Sequence, residues 1–92
     1  MIHKVVLSKT AKKDLLLVPI FIRHKLDEWI LSVELVGLEN VRKIPGFHDE
    51  PLKGKRTGER SIRLNRSYQA IYRITGESVA FVQIEEVNKH AY

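Results

Sequence analysis

The stretch Glu59-Arg60-Ser61-Ile62-Arg63-Leu64-Asn65, followed through Arg66-Ser67 by Tyr68-Gln69-Ala70-Ile71-Tyr72-Arg73-Ile74, decides the fold class. Period-2 alternation sends Ile62 and Leu64 to one face of a strand and Arg63 to the other. The two-residue Arg66-Ser67 link suits an antiparallel hairpin, and Thr75-Gly76-Glu77 suits a second one leading into a strand over Ser78 to Val87. A three-stranded meander follows, spanning about Glu59 to Asn65, Tyr68 to Ile74 and Ser78 to Val87. Cross-strand alternation would leave one of its faces polar and open.

Upstream of the meander, Ile2 to Leu7 is a short apolar, β-branched run that ends at Ser8, a good N-cap. Lys9 to Val18 then reads as a helix, with Leu15, Leu16 and Leu17 available to a core. Pro19 ends it and opens a second helix. Its Ile22, Leu26, Trp29, Ile30 and Val33 keep the spacing of one buried stripe, and Gly37 is a natural stop. The pair makes an antiparallel helical hairpin with Arg23, Lys25, Asp27, Glu28 and Glu34 toward solvent. Pro45-Gly46-Phe47-His48-Asp49-Glu50-Pro51 should be irregular, and Gly54 and Gly58 bracket a second tight region. The expected architecture is one α+β domain over residues 1–92, with the helices on one sheet face.

Charge singles out the other face. Between Val41 and Arg73 lie nine of the sixteen Lys and Arg residues but only three acids, so this window carries +6 and accounts for the formal net charge of +5. A localised basic surface attracts polyanions. There is no cysteine, which excludes a disulfide framework and a Cys-based zinc site. His3, His24, His48 and His90 lack a ligand spacing, so no metal is expected. Nothing resembles a signal peptide or a span of about 20 apolar residues, which points to the cytoplasm and to no membrane partner. Gly-rich phosphate loops and serine nucleophile elbows are absent.

What remains is a basic sheet, the loop Lys53-Gly54-Lys55-Arg56-Thr57-Gly58, and a tail carrying His90 and Tyr92. This set suits metal-free RNA cleavage, in which a ribose 2′-OH attacks the adjacent phosphate with a base, an acid and fixed cations in attendance. It equally suits plain RNA binding, for which Tyr68, Tyr72 and Phe81 would be stacking surfaces if they faced outward.

The block Glu50-Pro51-Leu52-Lys53-Gly54-Lys55-Arg56-Thr57-Gly58-Glu59-Arg60-Ser61-Ile62-Arg63-Leu64-Asn65, continued by Tyr68-Gln69-Ala70-Ile71-Tyr72, resembles the central region of the RelE/ParE toxin superfamily, most closely its HigB-type plasmid-maintenance killer members. Glu86-Val87-Asn88-Lys89-His90-Ala91-Tyr92 is similar to the closing strand and His/Tyr tail of RelE-like toxins. The resemblance implies the toxin of a type II toxin-antitoxin system, an mRNA interferase that cuts mRNA in the ribosomal A site without a cofactor. It also implies a cognate antitoxin, helix-turn-helix and HigA-like, through which alone the complex would meet operator DNA. Carried over position by position, it makes Lys53, Arg56, Arg63, His90 and Tyr92 catalytic. Gln69 and, on the same face of its strand, Arg73 join them in the catalytic set, and Lys55, Arg60 and Arg66 are expected to bind RNA. Gln69 stands where HigB-type members carry an arginine, Glu50 where some carry a histidine, and Ala91 at an often acidic position. Because one fold serves both activities, a ParE-like gyrase inhibitor is the alternative.

Overall fold

The computed structural model describes residues 1–89. It contains five strands, β1 (Val5–Leu7), β2 (Glu50–Pro51), β3 (Glu59–Arg63), β4 (Tyr68–Thr75) and β5 (Phe81–Lys89), and three α-helices, α1 (Lys9–Leu15), α2 (Ile20–Val36) and α3 (Leu38–Val41). One mixed sheet runs in the order β1-β5-β4-β3-β2. The meander β3-β4-β5 is antiparallel, and β1 lies parallel to β5 with Val6 opposite Gln83. The expected α+β class and the single-face packing of the helices are both present.

Ser8 caps α1: its Oγ accepts the Ala11 N–H at 3.0 Å and donates to the Glu85 carbonyl at 2.6 Å, fastening the helix start to β5. The helix is shorter than the sequence suggests. It ends at Leu15, where the Leu16 and Leu17 N–H groups turn back to the Lys13 and Asp14 carbonyls ahead of Pro19, which has no N–H to continue the ladder and disfavours the helical region at Val18. Of the three leucines only Leu15 packs against the core, while Leu16 and Leu17 are 78% and 84% exposed. α2 buries the expected stripe Ile22, Leu26, Trp29 and Val33. Gly37 stops it with φ of 88°, and a side chain there would meet Met1. The chain then forms α3, an unexpected single turn whose Leu38 and Val41 are fully buried.

The helices meet the sheet through Ile62, Leu64, Ala70, Tyr72, Val82, Ile84 and Val87. Trp29 lies at the centre, its ring centroid 5.2 Å from that of Tyr72. Two further features escape the sequence pattern. Glu50–Pro51 pairs antiparallel with β3, where a proline is tolerated because its missing N–H faces the sheet edge. β5 contains a bulge: Ile71 pairs with Glu86 but Tyr72 pairs with Ile84, leaving Glu85 as the extra residue. No helix of the described residues is long and apolar enough to cross a membrane.

Truncating Trp29 should be the costliest single core change. Trp29→Ala is expected to lose about 3–5 kcal/mol in urea unfolding, because the side chain is fully buried and the cavity cannot close completely.

Candidate functional site

The face of the sheet away from the helices is built by alternation. On β3 it carries Glu59, Ser61 and Arg63; these stand opposite Arg73, Ile71 and Gln69 of β4. On β5 the bulge changes the count. Ile84 and Val87 both point into the core, so Glu85 and Glu86 between them are both delivered to the open face. Two helix α1 residues satisfy the backbone of the bulge, Ser8 at the Glu85 carbonyl and Asp14, whose Oδ2 accepts the Val87 N–H at 2.9 Å.

A continuous polar chain crosses this face. The Gln69 amide donates to Asn88 Oδ1 at 3.0 Å, and Asn88 donates to Glu86 Oε1 at 2.8 Å. Arg56 bridges Glu86 and Glu59, each at 3.2 Å. Arg73 Nε lies 2.9 Å from Glu85, with its guanidinium 3.8 Å from Glu59. Burial alone would lower the Arg56 pKa, but the Glu59 hydrogen bond and the Glu86 and Glu59 charges outweigh it and raise it. Ile71 and Ser61 beneath are buried, so the network lies down on the sheet.

At the β2 side of this face His48, Glu50, Ser61, Ile62, Arg63 and Gln69 line a shallow recess. His48 adopts a left-handed conformation, φ 46° and ψ 48°, the sole non-glycine positive φ among the described residues. His is one of the few side chains enriched there, and such backbone outliers gather at functional sites. Its neighbour Asp49 points to the opposite face and holds the loop down. The Asp49 carboxylate is fully buried, 2.6 Å from Arg60 Nε, and accepts the Tyr72 hydroxyl at 2.5 Å.

The structure therefore divides the residues singled out by sequence. Arg63, Gln69 and Arg73 share the open face, and Arg56 reaches it from the turn at Gly54–Arg56. Lys53 and Lys55 are exposed in that same loop, and neither they nor Arg63 form an ion pair among the described residues. Arg66 is exposed in the turn between β3 and β4. Arg60 is set apart, turned to the core side and committed to Asp49. Tyr72 is buried rather than available for stacking. His90 and Tyr92 lie outside the described residues. The recess adds His48 and Glu50, and the face adds Glu59, Glu85, Glu86 and Asn88. The run Ile84-Glu85-Glu86-Val87 did carry a signal for the acids, since two polar residues between two apolar ones break strand alternation as a bulge does.

No protein-family model matches the chain, and no curated protein does. Solved structures do. The YoeB/ParE toxin of Agrobacterium tumefaciens superposes with a TM-score of 0.67 at 21% identity, over 96% of this chain and 99% of its own. YafQ of E. coli gives 0.71 at 20% identity over 95% and 92%. The YoeB-YefM complex of Staphylococcus aureus gives 0.70 at 20% identity over 96% and 97%. At such identities the likeness is one of fold: the chain adopts the architecture of these toxins.

The Asp49 anchor has a pH signature. Burial first, then the Asp49 hydrogen bond, pushes the Tyr72 phenol above its ordinary value near 10. A raised pKa contributes stability that is fully present below pH 10 and lost as pH rises beyond it. Tyr72→Phe should cost about 2 kcal/mol at pH 7 for the lost hydrogen bond to a charged group. That gap, read from urea midpoints over a pH series, should narrow above pH 10, where only the wild type pays to keep a phenol protonated.

Proposed function

We propose that this chain is the toxin of a type II toxin-antitoxin pair, of HigB type, and that it cleaves mRNA on the ribosome without a metal. The carrying observation is the recess, where Arg63, free of any ion pair among the described residues, shares a lining with His48, Glu50 and Gln69 in a fold common to the YoeB and YafQ toxins. The central block and closing tail that resemble HigB-type toxins support the finer assignment.

In the reaction, the ribose 2′-OH loses its proton to a base and attacks the adjacent phosphorus. The 5′ oxygen leaves with a proton from an acid, giving a 2′,3′-cyclic phosphate and a 5′-hydroxyl. Arg63 and Lys53 hold the charge that builds on the phosphate oxygens, and the Gln69 amide donates a further hydrogen bond. Proton transfer falls to His90 and Tyr92 of the tail, by the resemblance, and to His48 and Glu50 of the recess. Lys55 and Arg66 contact flanking phosphates. Arg60 acts on the site through Asp49 and the loop bearing His48, not on RNA. Gln69 lacks the charge and bidentate fork of an arginine, so the site works below the strength available to its fold.

The partner is a cognate antitoxin, a reading supported by the Staphylococcus aureus YoeB having been solved with YefM; the resemblance to HigB-type toxins makes that antitoxin helix-turn-helix and HigA-like. Operator DNA is met through that complex only.

Programmed 70S ribosomes with primer-extension mapping test the reading, with the wild type and Gln69→Arg compared side by side. Codon-linked cuts are expected from both, faster by roughly 10²-fold with the arginine, the scale of one electrostatic donor. Cuts by Gln69→Arg alone would identify a disabled toxin. No cuts by either, together with inhibited gyrase supercoiling, would replace the nuclease with a ParE-like inhibitor; salt-dependent RNA retention without cuts would leave a plain RNA-binding domain.

A further inference from the structure

The open face carries the arginines Arg56, Arg63 and Arg73 and four carboxylates, Glu59, Glu85 and Glu86 in one layer and Glu50 at the recess. Arg56 and Arg73 are engaged by Glu59, Glu85 and Glu86, two of which come from the β5 bulge, whereas Arg63 at the recess is not engaged by any acid among the described residues. These acids do not sit there by default. Simple alternation along β5 would have sent only one of Glu85 and Glu86 outward, and the bulge that exposes both is held by dedicated contacts from Ser8 and Asp14.

We infer that Glu85 and Glu86 are specificity-determining residues that mask Arg56 and Arg73, so that the sheet face itself grips RNA at the recess phosphate and leaves flanking contacts to the exposed Lys53, Lys55 and Arg66 at its margin. This rests on the reading of the open face as the RNA surface. A phosphate reaching Arg73 competes with Glu85 and one reaching Arg56 competes with Glu86, while Glu59 stays paired with both arginines, so each such contact exchanges one ion pair for another and gains little. Arg63 offers its charge without that exchange. Counterion release then follows from few phosphates, and free single-stranded RNA is held weakly. A strand delivered and held by a larger particle needs only the recess contact, which restricts the protein to RNA presented in that way. The flanking polar groups keep the mask in register: Gln83 donates to Glu85 at 3.3 Å and Asn88 donates to Glu86.

The test is binding of a short fluorescein-labelled single-stranded RNA, read by anisotropy over a salt series, for wild type, Glu85→Gln, Glu86→Gln and the double variant. Each amide keeps hydrogen-bonding capacity while removing charge, and the single variants stand in if the double one melts early. Glu77→Gln, exposed in the β4–β5 hairpin, is the control for net charge. Unmasking two arginines should tighten binding roughly tenfold and steepen the slope of log K against log salt by about 1.4, at about 0.7 per phosphate on a single strand. Glu77→Gln should leave that slope unchanged. Equal slopes for wild type and all β5 variants, or the same gain from Glu77→Gln, would overturn the inference. Because no cleavage is read, a protein that fails to cut on ribosomes but is unmasked by these changes keeps this inference and loses only the nuclease.

Discussion

One extra residue in β5 controls the rest of the molecule. The bulge at Glu85 allows Ile84 and Val87 to reach the same core, although their spacing of three would put them on opposite sides of a regular strand. A bulge leaves backbone groups outside the ladder, and buried ones are costly unless satisfied. Helix α1 supplies the partners, with the Ser8 hydroxyl at the Glu85 carbonyl and the Asp14 carboxylate at the Val87 N–H. Helix position, strand register and the chemistry of the far face are thereby tied together.

The consequence is a sheet whose cations have three different fates. Arg60 is spent on structure, paired with a fully buried carboxylate that also receives the Tyr72 hydroxyl. Breaking such a pair on one side is far more damaging than its net contribution suggests, because the survivor stays desolvated. Arg56 and Arg73 lie in an ionic layer over Ile71. Arg63 faces the recess and forms no ion pair among the described residues. A net charge of +5 therefore overstates the positive potential available to a ligand on this face, since charge is counted by residue and potential is set by neighbours.

Function resides in the site rather than in the architecture. Here the recess pairs a loop that holds His48 in a left-handed conformation with Gln69 and with Arg63, which forms no ion pair among the described residues. The loop is held by Asp49 on the other side of the sheet, so the conformation of His48 depends on a pair it never touches.

Much of this was legible in the residues themselves. Alternation along β3 and β4, the Ile22-Leu26-Trp29-Val33 stripe, the Ser8 cap and the Gly37 stop all act over a few residues, so local physics determines them. The same alternation put Gln69 and Arg73 on one face of β4, and the pairing of β4 with β3 makes that Arg63's face. Other features needed the tertiary structure. The commitment of Arg60 to the core side depends on Asp49, eleven residues away; the ion pairs of Arg56 and Arg73 depend on acids from a strand formed later in the chain; and the pairing of Glu50–Pro51 depends on β3. The sequence by itself determined which side chains could be charged and which stripe of α2 and which faces of β3 and β4 would be buried. Only the fold decided which charges cancel, because ion pairing acts across space between elements whose juxtaposition no local pattern encodes.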